Sequence, residues 1–228
     1  MKHLNTNWNY EDEESKLLAI GAPNPDFEAI VALRHARKNE LVGRLSLRTT
    51  DRVLDLGSGM GFIAEVVAPC VAKLYCTDVS DTFLADCRKR CASFQNIEIH
   101  KINYADCSPV YGKEINKVYS TLLFIHFNFY DFVLYLQELN KVMIKGGLLY
   151  FDYNDGDRFN FSEPSESFNQ HLALYKEHRE HWIFGCMHMS SYSVIKNLAP
   201  QLGFRILGNW CTPSAFSQML LAKVDDLK

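Results

Sequence analysis

The sequence predicts an α/β fold: a doubly wound, mostly parallel seven-stranded sheet that ends in an antiparallel hairpin. Two observations carry this. From Asp51 onward short apolar runs alternate with helix-sized patterns, and strands joined by crossovers of that size run parallel with both faces covered. Near the C-terminus "FRILGNW" and "SQMLLAKV" are separated by only a short loop, which suits an antiparallel pair. The length of 228 residues fits one large domain with a full core.

Each element has its own signal. Residues 1–23 are polar and read as irregular or weakly helical. "NPDFEAIVALRHARKNELVGRL" is a capped helix, with Asn24 as N-cap and Pro25 in the first turn. "RVLDLG" is a buried strand, followed by the helix "GFIAEVVA", which stops at Pro69. "KLYCTDV" is the second strand, and Ser80 caps the helix "DTFLADCRKRCASF". "IEIHKIN" and "KVYSTLLFI" are the third and fourth strands. "YDFVLYLQELNKVM" sets Phe132, Leu136, Leu139 and Met143 on one helical face, and Gly146–Gly147 form the turn into the strand "GLLYFDY". The helix "SYSVIKNLAPQLG" ends near Gly203, and the hairpin supplies the last two strands, one of them reversed at the end of the sheet. We expect one domain over 1–228, with 1–46 as a helical cap and 156–189 as an insert that forms a lid.

Composition excludes several partners. A net charge of −3 gives no general attraction for a nucleic-acid backbone or an anionic membrane. No apolar run is long enough to insert in a membrane, and the start "MKHLNTNWNYEDEESKLL" lacks a leader pattern. The seven scattered cysteines offer no second pair to complete a metal site with Cys87 and Cys91, so we expect reduced thiols, a cytoplasmic protein and no metal. The sequence leaves the oligomeric state open.

The stretch "DLGSGMG" holds the chemistry. Glycines at alternate positions after a first strand let the backbone turn tightly and approach a ligand at the crevice where strand order reverses. Its spacing is G-x-G-x-G rather than the G-x-G-x-x-G of a dinucleotide turn. Asp78, at the end of the second strand, can accept hydrogen bonds from two ribose hydroxyls; the plain alternative is a helix-capping acid.

With these residues in view, the sequence resembles the class I S-adenosylmethionine-dependent methyltransferases, whose sheet is Rossmann-like. "VLDLGSGMGF" looks like the first motif of that family, "LYCTDVS" like the second, and "LNKVMIKGGLLYFD" like its helix-turn-strand signature. The resemblance implies S-adenosyl-L-methionine as cofactor and S-adenosyl-L-homocysteine as product. It implies that Gly57, Ser58, Gly59 and Gly61 line the methionine part, with Asp55 near its ammonium. Asp78 would hold the ribose, Val79 would pack on the adenine, and Ser120–Thr121 would offer a carbonyl to the ammonium. Where the family often carries Asp after the third strand, this chain has Asn103 followed by Tyr104, with Asp106 as the alternative. The Asp often found near the start of the fourth strand is replaced by Asn116 or Lys117.

The acceptor side is less specified. A hydroxyl acceptor needs a base within hydrogen-bond reach, and an amine need only be unprotonated. Candidates are His126 past the fourth strand, Asp152 and Tyr153 at the end of the fifth, and His178 and His181 in the insert. The bland reading of His126 is a packed residue, and that of the insert histidines a solvated helix. The motif of amino-methylating DNA enzymes is missing after the fourth strand, where "STLLFIHF" stands. We therefore expect a small polar acceptor, methylated at a hydroxyl of a sugar-like or natural-product metabolite. N-methylation of a small amine, a silent S-adenosylmethionine-binding partner protein, and a nicotinamide oxidoreductase are the rivals.

Overall fold

The computed structural model of the chain describes residues 8–12, 15–16, 27–158, 189–211 and 216–227. Helix α1 spans Phe27–Leu45, and β1 (Arg52–Leu56) begins the sheet. Then come α2 (Phe62–Val67), β2 (Lys73–Asp78), α3 (Asp81–Arg90), β3 (Ile97–Lys101), β4 (Ile115–Ser120), α4 (Phe129–Val142) and β5 (Met143–Asp155). The two-residue β6 (Met189–Ser190) precedes α5 (Tyr192–Gln201) and the hairpin of β7 (Phe204–Cys211) and β8 (Phe216–Lys223).

The strand order is β3-β2-β1-β4-β5-β8-β7, with β6 paired to β5 off this path. β1 to β5 pair in parallel, and β8 is antiparallel to both β5 and β7. The mostly parallel seven-strand order is as expected, but the reversed strand lies inside the sheet rather than at its edge. Burial decides this: β8 is buried at every position after Phe216, whereas β7 is half-exposed or exposed at all but Phe204. The more apolar strand takes the doubly paired position. The chain moves outward from β1 in both directions, so a crevice opens at the carboxyl ends of β1 and β4.

Alternation along β1 distributes the core. Leu54 and Leu56 face a cluster with Phe132, Leu136 and Leu139 of α4 and Ile195 of α5. Val53 faces the other side, among Leu41 and Leu45 of α1, Ile63 and Val67 of α2, and Cys87 of α3. The C-terminus is tied down by Lys223, whose buried ammonium donates to Asn140 O at 2.6 Å and Met143 O at 2.8 Å. These are carbonyls at the end of α4, where a cation is favourable.

Three local expectations need correction. β4 does not continue through Ile125: it stops at Ser120, Leu122 turns to φ +59°, and Phe124–His126 forms a single 3₁₀ turn. Gly146–Gly147 is not a turn, because β5 already begins at Met143, which pairs with Ile115. The glycines lie in a bulge, where the register jumps from Ile115↔Met143 to Lys117↔Leu148 and Gly146 has φ +78°. Met143 therefore leaves the helical face assigned to it. Helix α4 also starts earlier than its apolar pattern: the Asn128 side chain accepts the Tyr130 and Asp131 N–H groups, and Asp131 reaches back to Asn128 N–H, a capping box. No helix among the described residues is long and apolar enough to cross a membrane.

Candidate functional site

The glycine turn joins β1 to α2, and its geometry is set by protein acceptors. The N–H groups of Gly57 and Ser58 both donate to Thr77 O, at 2.8 and 2.9 Å, and that of Gly61 donates to Ser58 O at 3.0 Å. Gly59 N–H donates to Asp78 Oδ2 at 2.8 Å. A phosphate-binding turn aims such donors at its anion. These four N–H groups are already used, so a phosphate is not what this turn is built to hold.

The three glycines are required for different reasons. All have positive φ: +76° at Gly57, +52° at Gly59 and +81° at Gly61. A Cβ on Gly57 would lie 2.9 Å from Leu123 Cδ2, and one on Gly61 would lie 2.8 Å from Cys87 Sγ. A Cβ on Gly59 would meet nothing within 4 Å. Gly57 and Gly61 thus let protein segments close on the turn, and Gly59 alone faces open space. The Ser58 hydroxyl oxygen is buried without a hydrogen-bond partner among the described residues.

Asp78 stands at the end of β2, 8% exposed. Besides Gly59 on Oδ2, it accepts Ser80 N–H on Oδ1 at 2.9 Å. Burial pushes its carboxyl above the usual range, and backbone N–H groups of Ser80, Gly59 and Val79 oppose this. A carboxylate has room for about four donors, so capacity remains on both oxygens for a pair of vicinal hydroxyls. Val79 is half-buried beside it, against the α4-side core. An amino-acid-bearing nucleoside fits this cradle: a diol acceptor, a bare glycine and a buried hydroxyl without a partner among the described residues.

The other cofactor candidates differ in placement. Asp55 is 2% exposed on the α2 side of β1, where it and burial together push the neighbouring Tyr119 hydroxyl well above its usual range, burial contributing most. Ser120 is fully buried, and its hydroxyl donates to Leu56 O at 2.9 Å, clamping β4 to β1 at the crevice; Thr121 follows, half-buried. Asn103 is exposed and bridged to Asp106. Asp106 caps the next turn by accepting Ser108 N–H at 2.9 Å, which gives it a local role. Tyr104, at φ +57°, donates its hydroxyl to Asp131 and packs edge-to-face on Tyr135, 5.7 Å between centroids. Two bulky residues with left-handed backbone, Tyr104 and Leu122, therefore flank the same edge, as strained residues often do at functional sites.

On the acceptor side, His126 ends the 3₁₀ turn after β4, half-buried, with its ring edge-to-face on Trp8 at 5.1 Å. The Ser80 hydroxyl donates to Trp8 O at 2.7 Å. Trp8 thus spans from the end of β2 to the turn after β4, across the glycine turn that lies between them. Asp152, expected as a base, is fully buried and engaged: its Oδ2 accepts from Arg37 of α1 and from Leu122 N–H at 3.2 Å. Burial raises its pKa, while Arg37 and Leu122 act to lower it. Tyr153 is corrected as a base candidate. It points into the α4-side core, donating to Asn209 Oδ1 at 3.0 Å and Asp155 Oδ2 at 3.2 Å, and burial pushes its pKa up. His178 and His181 lie outside the described residues, as do residues 159–188 of the insert.

Sequence reading missed Trp8, Arg37 and Leu122. Arg37 sits in the charged run "RHARKNE", which reads as a solvated face, and its partner is 115 residues away. Nothing in the spacing could have paired them. The capping box at Asn128 and Asp131 did have a signal, a polar N-cap with an acid three residues on.

Comparison with known proteins agrees with this geometry. A family model described as a methyltransferase domain matches residues 53–147. No curated protein matches the chain in sequence. Among solved structures, a SAM-dependent methyltransferase from Aquifex aeolicus has a TM-score of 0.65 at 15% identity, over 94% of this chain and 100% of that one. Geranyl diphosphate C-methyltransferase from Streptomyces coelicolor, in complex with S-adenosyl-L-homocysteine, has a TM-score of 0.67 at 11% identity, over 98% and 97%. Magnesium protoporphyrin IX methyltransferase from Synechocystis has a TM-score of 0.61 at 14% identity, over 85% and 83%. At these identities the structures speak for the fold, and the family match covers the glycine turn and Asp78. Residues 53–147 thus match a methyltransferase domain, carried on a fold that the chain shares with solved S-adenosylmethionine-dependent methyltransferases.

Proposed function

We propose that this methyltransferase acts in the cytoplasm on a small polar acceptor, placing the methyl group on a hydroxyl of a sugar-like or natural-product metabolite. The observation that carries the donor half is the glycine turn, whose four engaged N–H groups leave a diol-binding acid and open space at Gly59. Bound S-adenosylmethionine supplies a methyl already activated on a sulfonium. The chain has to align the acceptor and manage one proton, and alignment alone can supply on the order of 7–11 kcal/mol. Asp78 orients the ribose, and Val79 and Tyr104 offer apolar surface beside it. Asp55 and the Ser120–Thr121 segment stand on the methionine side.

For the acceptor, His126 is the base we favour over Asp152 and Tyr153. It is half-buried at the carboxyl edge against Trp8, whereas Asp152 is fully buried and ion-paired to Arg37 and the Tyr153 hydroxyl is bonded in the interior. An aromatic wall beside an imidazole suits a polar ring or sugar face. The six described cysteines are all free thiols, which supports a reducing compartment. The neighbours' acceptors, geranyl diphosphate and magnesium protoporphyrin IX, differ too much to point to one class.

The test is incubation with methyl-labelled S-adenosylmethionine and cell extract, followed by mass analysis of the products. Label on a hydroxyl of a small molecule is the expected result. Label confined to protein or nucleic acid would overturn the acceptor class, and tight cofactor binding with no transfer would mean a silent binding protein. With the acceptor identified, His126→Ala should cut turnover by about 100-fold or more while cofactor affinity stays within about twofold.

A further inference from the structure

The buried pair Arg37–Asp152 does not stand alone. Arg37 is also held by Glu40 on the same helix, at 2.5 Å, so its guanidinium is fixed from two sides. Asp152 is fully buried, and the oxygen that takes Arg37 also takes Leu122 N–H at 3.2 Å. Leu122 has φ +59°, a conformation that a bulky side chain resists, so this hydrogen bond holds a strained residue in place. The next residue, Leu123, covers Gly57: a Cβ there would lie 2.9 Å from Leu123 Cδ2 and 3.2 Å from Leu123 Cβ. The contacts form a continuous path from α1, through the end of β5 and the turn after β4, to the glycine turn.

We propose that Arg37 is a positioning residue for the donor site: it fixes the Asp152 carboxylate, which holds Leu122 in its left-handed conformation and so seats Leu123 on Gly57. Helix α1, packed on α2 and ion-paired to the end of β5, thereby sets the shape of the methionine pocket without touching the cofactor. A single-charge relay of this kind acts only while Asp152 is ionised. The charged or titratable groups facing Asp152 among the described residues are Arg37 and Glu40 from α1 and Tyr150 from β5; its partner on β8 is the neutral Gln218. Without Arg37, burial is opposed only by one N–H, and the carboxyl takes up a proton as pH falls.

The inference rests on S-adenosylmethionine being the donor, and the experiment separates the two. S-adenosyl-L-homocysteine affinity is measured by calorimetry for the full chain between about pH 6 and 8. Failure of the unmodified chain to bind would overturn the donor reading, and the relay with it. Given binding, Arg37→Met should weaken affinity by about 10-fold, with the loss growing as pH falls; Arg37→Lys should restore a flat profile. Affinity equal to the unmodified chain, or a loss that does not change with pH, would overturn the relay. If Arg37→Met does not fold, Asp152→Asn decides: weaker binding that is flat with pH supports the relay, and unchanged binding overturns it.

Discussion

The glycine turn and the end of β5 both lie at the carboxyl edge of the sheet, and they are held in different ways. The turn is fixed by backbone donors bonding to acceptors of the adjacent strand, Thr77 O and Asp78, and by glycines that let Leu123 and Cys87 come close. The end of β5 is fixed by side chains: Asp152 to Arg37 across 115 residues, and Tyr153 to Asn209 across 56. Backbone geometry tolerates little variation in sequence, because each glycine answers a fixed φ or a fixed neighbour. A side-chain pair can be replaced by another of suitable reach. The glycine turn is therefore written in a short motif, and the end of β5 is written in pairs that only folding brings together.

The sharpest break of this contrast is Gly61→Ala. The new Cβ would sit 2.8 Å from Cys87 Sγ and 3.1 Å from Cys87 Cα, at φ +81°. Backbone cannot yield as a flexible tip can, so we expect a loss of about 3 kcal/mol in unfolding free energy by urea titration, from overpacking and left-handed strain together. Next comes Asp78→Ala, which removes the acceptor that we propose for both ribose hydroxyls. S-adenosyl-L-homocysteine should bind about 100-fold more weakly by calorimetry; a change under about threefold would show that Asp78 only braces the turn.

Gly59→Ala sharpens the comparison between glycines. With open space around its Cβ, only φ +52° opposes it, and stability should fall by about 1 kcal/mol. Cofactor affinity should fall by a larger factor than that, since the methyl would project toward the ligand. A stability loss as large as that of Gly61→Ala would erase the distinction.

The smallest effect is expected away from both regions, at Glu98 on the edge strand β3. Lys73 at 3.0 Å, Lys113 at 3.2 Å and His100 at 3.3 Å hold its carboxyl down at about 2, against an ordinary 4.5. A depressed carboxyl stabilises the fold above its unfolded value of 4.5, and that contribution disappears as pH falls through about 2. At 34% exposure the network is screened, so Glu98→Gln should cost no more than about 1 kcal/mol at neutral pH and flatten the acid limb of the stability profile. Cofactor affinity should not change.

Several elements could be read directly. The strand-turn-helix at Asp55–Gly61 and the acid at Asp78 combine local propensity with a fixed spacing, and the structure brings them within one hydrogen bond. Ser80 caps α3 as its residue type suggests, accepting Phe83 N–H at 3.2 Å. Other readings were wrong because the competing signal was tertiary. Gly146–Gly147 has the composition of a turn, yet pairing of Met143 with Ile115 draws the segment into β5 as a bulge. "STLLFI" is apolar enough for a strand, yet β4 stops at Ser120, where Asp152 takes the Leu122 N–H and the backbone turns over.

By itself, the sequence determined the sheet class, the glycine turn and the acid at the end of β2, because each depends on residue type at short spacing: glycine for positive φ, apolar alternation for strands, a carboxylate at a strand end. Only the tertiary structure decided that β8 lies inside the sheet, that Tyr153 turns into the core, and that Arg37 reaches Asp152 beneath the turn after β4. Those outcomes depend on which buried group finds a partner from a distant element. No local pattern records that choice, because the cost of leaving a polar group unpaired is felt only once the chain has folded around it.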